Sequence, residues 1–317
     1  LVKVVEDLIS SASMGDKLAL SKLLSLIETD PGIVRHIASL IWPKTPKAHV
    51  IGVTGAGGVG KSSLISAVAD ELSFNGSSIA VLAVDPSSPI SGGSLLGDRV
   101  RMTNIRRSDR VFIRSMSTTS EEALPLKALL SVEVLDALGY DYIIIETPGV
   151  GQFNVGISRF ADTVILVLMP GAGDEIQALK AGVMEIGDIY VVNKSDRPDA
   201  ELTFNQVLFA LSDVSRDEWV PRVLKTSATY RIGIKELINA VNEHRNYLVS
   251  TNKINIKREW RRFLELNLAV KHKVMGKLNE VLSKDLRIKE VYDSLIRGLL
   301  DPISAADEII ELMFKSG

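Results

Sequence analysis

The hydrophobic pattern divides the chain into a helical start, a middle in which apolar strands alternate with helices, and a helical end. Near the start, Leu20, Leu23, Leu24 and Ile27 recur at i, i+3, i+4 and i+7, the spacing of one buried helix face. Asp30-Pro31-Gly32 breaks that pattern, and Pro43 and Pro46 bracket a short linker. The period then changes. His49 to Thr54 forms a short apolar strand that runs into a glycine-rich turn. A helix follows from about Lys61, with Leu64, Val68 and Leu72 facing a sheet. Further strands are expected at 79–84, 142–145, 164–168, 189–192 and 223–224, most of them separated by helices. Continuous apolar strands are buried on both faces, which marks a mainly parallel sheet between helix layers. Right-handed crossovers put every strand's C-terminal end on one edge. After about residue 250 the strands stop. Trp260, Phe263, Leu264, Leu268, Met275, Leu278 and Leu282 form a helical stripe, and Asp301-Pro302 separates two shorter helical patterns. The expected organisation is a helical extension over 1–46, an α/β domain over 47–250 and a helical appendage over 251–317.

Composition narrows the partners. The 317 residues are 46% apolar, enough to bury a sizeable core. With 37 basic and 39 acidic residues the formal charge is −2, so no electrostatic excess calls for nucleic acid or an anionic membrane. The absence of cysteine excludes disulfides, thiolate metal ligands and cysteine nucleophiles, and fits a cytoplasmic protein. No apolar run reaches 18 residues and no signal-like start is present, so neither membrane insertion nor secretion is expected. Leu1 stands where an initiator Met is expected, so the numbering is expected to begin inside a longer chain.

The chemistry begins at Gly55-Ala56-Gly57-Gly58-Val59-Gly60-Lys61-Ser62. This Gly-x-x-x-x-Gly-Lys-Ser pattern occurs once, after a strand and before a helix. Glycines let the backbone wrap closely around phosphate. The loop's N–H groups and the helix N-terminus, where Ser63 follows, point at the anion. Lys61 adds charge for the β and γ phosphates, and the Ser62 hydroxyl is offered to Mg²⁺. The sheet class is therefore that of a P-loop NTPase, with added helices at both ends.

A second motif, Asn193-Lys194-Ser195-Asp196, ends another strand. A carboxylate at Asp196 accepts from guanine N1–H and the 2-amino group, whereas adenine turns a lone pair toward it. Losing two charge-assisted hydrogen bonds costs about 3–6 kcal/mol, a preference on the order of 10² to 10⁴ for GTP. Ser227 and Ala228 end the next strand, where a further loop reaches the guanine.

Glu146-Thr147-Pro148-Gly149 ends the strand over 142–145. An acid at this place holds Mg²⁺ in P-loop NTPases, and the Gly149 N–H is positioned for the γ-phosphate. Val150 stands where many small GTPases carry a water-orienting glutamine, and the role of Gln152 is open. Asp85 ends the strand over 79–84 and opens a glycine-rich segment that reaches Asp98, a candidate switch closing on Mg²⁺ and γ-phosphate. Asp85 or Asp98 is expected to orient the attacking water.

These residues together resemble one family, the GTPases associated with methylmalonyl-CoA mutase, also called ArgK-like or lysine/arginine/ornithine transport kinases. The resemblance rests on five segments. These are the phosphate loop, Val-Asp-Pro-Ser-Ser-Pro with residues 92–102, Glu-Thr-Pro-Gly-Val-Gly-Gln (146–152), Pro-Gly-Ala-Gly-Asp-Glu-Ile-Gln (170–177) and Asn-Lys-Ser-Asp. It implies a fold of the signal-recognition-particle and MinD class, and homodimers formed through a C-terminal helical arm. It implies a GTPase chaperone that gates cofactor delivery to the adenosylcobalamin-dependent mutase and protects that enzyme. Asp174, Glu175 and Lys180 match a region described in the family as a third switch. Pro148 departs from the Val found in many members.

Two rivals remain. A kinase moving the γ-phosphate to a transport-linked protein needs a general base near that phosphate. His36, His49, His244 and His272 all lie away from the phosphate motifs, and each is expected at the surface or in packing. A nickel-delivery GTPase needs Cys or His clusters, which four scattered histidines do not supply. The missing glutamine favours slow intrinsic GTP hydrolysis tuned by a partner.

Overall fold

The computed structural model describes residues 2–42, 47–86, 109–118, 125–147, 155–171, 186–212, 219–284 and 287–315. The linker at 43–46 lies outside them. The chain forms two compact units, Leu1–Arg262 and Phe263–Gly317.

The first unit opens with helices α1 (Val2–Ser13), α2 (Lys17–Thr29) and α3 (Pro31–Ile41). Asp16 caps α2 by accepting from Leu18 N and Ala19 N, satisfying amides that have no partner within the helix. Asp30 ends α2 and caps α3, accepting from Gly32 N at 3.0 Å, so the break at 30–32 is a hinge between two helices. Leu20, Leu23, Leu24 and Ile27 are all buried, as their spacing requires.

The sheet follows as β1 (His49–Thr54), β2 (Ile79–Pro86), β3 (Val111–Thr118), β4 (Tyr142–Glu146), β5 (Thr163–Leu168), β6 (Ile189–Val192) and β7 (Arg222–Lys225). Its order is β3-β2-β4-β1-β5-β6-β7, and every pairing is parallel. Among the described residues, the helices between the strands are α4 (Lys61–Phe74), α5 (Leu126–Ala137), α6 (Val155–Phe160) and α7 (Ala200–Ser212), and α8 (Ile234–Ser250) follows β7. One face of the sheet packs Ile51, Val53, Ile144 and Val167 against α4 and α8. The other packs Leu166, Leu168, Tyr190 and Val192 against α7. β1, β4, β5 and β6 are buried along their whole length, the condition read from their continuous apolar runs.

β3 is a strand that the apolar pattern does not announce, because Arg114, Ser115 and Ser117 interrupt it. It lies at a sheet edge, where the N-terminal helices supply its polar partners. Lys17 Nζ donates to Val111 O at 2.9 Å, and the Arg114 guanidinium pairs with Glu28 and Ser25 on α2. At the other edge, β7 has only four residues and carries Arg222 and Lys225, charges that discourage pairing with another chain.

Helix α9 (Lys253–Lys284) begins in the first unit. The second unit holds its remainder with α10 (Arg287–Ile296) and α11 (Pro302–Lys315). Asp301 caps α11, accepting from Ile303 N and Ser304 N, and the Ser304 hydroxyl with these amides holds its carboxyl below the ordinary value. Of the apolar stripe, Trp260, Phe263 and Met275 are exposed (61%, 57% and 53%), while Leu264, Leu268, Leu278 and Leu282 are half-buried.

Candidate functional site

Strand order places the site. β1 lies between β4 and β5, and the chain moves to opposite sides of it, so the crevice at their C-terminal ends is the expected ligand position. The glycine-rich loop leaves β1 at that edge and enters α4 at Lys61. Gly55 has φ +150°, and a Cβ there would lie 2.3 Å from the Val167 carbonyl oxygen of β5. Only glycine lets the loop run this close to the neighbouring strand. Gly57 and Gly58 are exposed at the loop's crest, and Gly60 precedes the first turn of α4, whose leading amides have no partner within the helix and where Ser63 is exposed. Lys61 is buried, with its ammonium donating to the carbonyls of Gly55 and Ala56 at 2.9 and 3.0 Å. The charge is thereby held over the loop.

Ser62 and Glu146 meet. The hydroxyl donates to Glu146 Oε1 at 2.8 Å, joining the start of α4 to the end of β4. Thr147 N donates to Val53 O at 3.1 Å and holds that strand end beside β1. A hydroxyl and a carboxylate converging beside a phosphate loop are hard oxygen donors. They fit Mg²⁺, which takes one or two protein oxygens and keeps water and phosphate for the rest. Asp85 occupies the penultimate position of β2 on the same edge, and its side chain lies outside the described residues. So do Asp98, Gly149, Gln152, Asp174, Glu175 and Lys180.

The base motif sits at the end of β6, but its members do different work. Asn193 is buried and turned toward the protein. Its Nδ2 donates to Val59 O at 3.0 Å, while its Oδ1 accepts from Thr226 Oγ1 and Ala228 N. It braces three loops at once. Lys194, with φ +57°, lays its ammonium on Gly58 O at 2.7 Å. Asp196 is exposed, and one carboxylate oxygen accepts from Ser227 Oγ at 2.6 Å. Phosphate loop, base carboxylate and the Ser227–Ala228 turn are thus tied together at one edge.

The histidines lie elsewhere. His49 and His244 are buried at the opposite, N-terminal ends of the strands, where both contact the Thr163 hydroxyl at 2.8 Å. Burial lowers His49 to about 3 against the pull of Asp162, and lowers His244 to about 4 against Asp188. Asp162 accepts from Arg261 Nη2 at 2.7 Å and from Val50 N at 2.8 Å. This network was not legible in the sequence, since no local period connects its members. Nor was the ion pair between Arg231 and Asp70. A carboxylate beside the apolar face of α4 was the available signal for it.

Comparisons with known proteins agree with this geometry. The family described as "Methylmalonyl Co-A mutase-associated GTPase MeaB" matches residues 20–283. A protein of Pyrococcus horikoshii that carries a GTPase name is 39% identical over 313 residues, covering 97% of this chain and 98% of its own. The GTPase ArgK of Escherichia coli is 34% identical over 255 residues, 76% of each chain. The crystal structure of an LAO/AO transport system kinase matches with a TM-score of 0.69 at 25% identity, covering 98% of both chains. On the match over residues 20–283, this chain belongs to the methylmalonyl Co-A mutase-associated GTPase MeaB family.

Proposed function

We propose that the protein is a GTP-driven chaperone of an adenosylcobalamin-dependent methylmalonyl-CoA mutase. It gates loading of the mutase's cofactor and protects the enzyme, acting in the cytoplasm as a homodimer through its C-terminal helices. The observation that carries this reading is the match to a mutase-associated family over residues 20–283, which includes every site motif. The phosphates lie on the amides of Gly55–Ser63 with Lys61 over them. Asp196 reads guanine, supported by Asn193, Lys194, Ser227 and Ala228. Ser62 and Glu146 hold Mg²⁺, joined by Asp85 or Asp98. Mg²⁺ when bound neutralises charge on the phosphate oxygens. Water attacks the γ-phosphorus and GDP leaves, and the same loop amides and Lys61 stabilise the charge that develops. Asp85 or Asp98 orients that water. Val150 offers no amide side chain for the task, so intrinsic turnover is slow and the GTP state persists until a partner accelerates it. Gly149 follows the γ-phosphate, and Gln152, Asp174, Glu175 and Lys180 carry the nucleotide state to the mutase.

A second reading, a kinase linked to lysine, arginine and ornithine transport, draws on the name of the protein whose crystal structure is similar. The buried positions of His49 and His244, at the far ends of the strands, leave neither near the phosphates as a phosphate acceptor or base. GTP hydrolysis measured with and without the mutase tests the first reading. Several-fold acceleration, and a complex that depends on GDP or a non-hydrolysable GTP analogue, are expected. Equal rates and no complex would overturn it, and transfer of label from GTP to a purified protein acceptor would favour the second.

A further inference from the structure

The loop from Thr226 to Gly233 joins β7 to α8 and carries Ser227 and Ala228. Its conformation is tightly specified. Ser227 and Ile232 exchange backbone hydrogen bonds at 3.0 and 3.1 Å, and Thr226 N donates to Val192 O at 2.9 Å. Gly233 has φ +74°, and a Cβ there would lie 2.2 Å from Lys225 O. At the tip, Arg231 takes the left-handed region, φ +56°, which L side chains seldom adopt. From that position its guanidinium pairs with the Asp70 carboxylate of α4. The carboxylate is 3% exposed and the guanidinium 46%. Asp70 lies on the helix whose first turn forms the phosphate site. The pair therefore ties the loop to the body of α4, eight residues beyond Ser62. Arg231 joins α4 to the tip of the loop, the loop's backbone pair leads to Ser227, and Ser227 donates to Asp196 at 2.6 Å.

We infer that Arg231 is a positioning residue for guanine recognition: paired with Asp70, it fixes the Ser227–Gly233 turn so that Ser227 holds Asp196 toward the base. This rests on the reading of Asp196 as the guanine-reading carboxylate. Three features favour it over a general support role. Arg231 accepts a strained backbone to make the contact. Its partner carboxylate is buried on the phosphate helix. The turn it holds is the one whose Ser227 donates to Asp196.

The test compares GDP and IDP, which lacks the 2-amino group, on the full chain, by equilibrium titration and by dissociation rate. The wild type is expected to prefer GDP. Arg231→Ala should release GDP about 5-fold faster and lower the GDP-over-IDP preference by a similar factor, the upper range for one half-exposed ion pair. Arg231→Lys, which keeps the charge, should recover most of both. Asp70→Asn/Arg231→Ala leaves no buried charge unpaired and should show the same loss of preference if the single variant folds poorly. Wild-type values in Arg231→Ala, or equal weakening of GDP and IDP, would overturn the inference while guanine binding stands. A wild type without preference for GDP over both IDP and ADP would overturn the reading of Asp196 itself.

Discussion

Mild acid should destabilise the first unit through two histidines. His49 and His244 share the Thr163 hydroxyl at the N-terminal edge of the sheet. Burial is the largest influence on each, lowering His49 from 6.5 to about 3 and His244 from 6.5 to about 4. Asp162 pulls His49 upward, but that carboxylate already accepts from Arg261, and the charges of Arg245 and Arg261 oppose protonation. Asp188 and Asp162 pull His244 upward while Lys257 opposes them. Well above pH 6.5 both rings are neutral in folded and unfolded chains, so they add no pH dependence there. Below it the unfolded chain binds two protons that the fold refuses, and stability falls as pH drops toward the folded values. Between pH 7.5 and pH 5 each ring removes about 2 kcal/mol, about 4 kcal/mol for the pair. A typical domain has roughly 5–15 kcal/mol in total, so the loss is easily measured. The Trp219 ring lies tilted 4.7 Å from that of His244 and 5.3 Å from that of Tyr247, and its fluorescence reports on this edge. With Trp42 and Trp260 replaced by Phe, urea unfolding followed at Trp219 should show the loss at pH 5. His49→Gln/His244→Gln should show little of it. A wild-type change below about 1 kcal/mol, or an equal change in the double variant, refutes the reasoning.

Three further outcomes are expected. Arg261→Met removes the guanidinium from Asp162, which is fully buried, and should cost about 3–5 kcal/mol in the same unfolding assay; Asp162→Asn added to it should recover part of that loss. Gly55→Ala sets a Cβ 2.3 Å from a backbone oxygen, so the loop must shift, and GDP affinity by calorimetric titration should fall at least about 10-fold. Glu146→Gln keeps an acceptor for Ser62 but loses the charge. The gain in GTP affinity on adding Mg²⁺ should shrink on the order of 10-fold, and an unchanged gain would remove Glu146 from the metal site.

What could be read from the sequence was what depends on local period and on complete motifs. β1, β4, β5 and β6 are buried on both faces, and that burial writes itself as unbroken apolar runs. β3 is an edge strand whose Arg114 answers to Glu28 of α2, about 86 residues away, so no local pattern reveals it. The Gly-x-x-x-x-Gly-Lys-Ser segment was legible as a strand-to-helix loop, and Asp196 as a carboxylate just past a strand end on the same edge. Asn193 shows the limit of motif reading. Its side chain is committed to Val59, Thr226 and Ala228, so what it does in the fold is hold loops in place. His49, Thr163 and His244 come together across 114 and 81 residues, a contact that only the folded sheet creates.

One local signal at the far edge nevertheless encodes the register of the sheet. Asp141, Asp162 and Asp188 each stand immediately before a strand, β4, β5 and β6. Each carboxylate accepts a backbone N–H from the neighbouring strand or its lead-in: Asp141 from Ser78, Asp162 from Val50 and Asp188 from Val164, all at 2.8 Å. A parallel sheet with both faces covered must satisfy its opening amides without much help from water. An acid placed one residue before a strand does so only in one register, because a slip of one residue would turn the paired N–H away. Asp162 and Asp188 do a second job, meeting Arg261 and Lys257 of α9, so the same residues that set the register also hold the root of that helix. The two edges of one sheet thereby divide the labour. Carboxylates consume the polar valences of the N-terminal edge within the protein. At the C-terminal edge the loop amides after β1, with Ser62, Glu146 and Asp196, are gathered around the crevice that strand order opens.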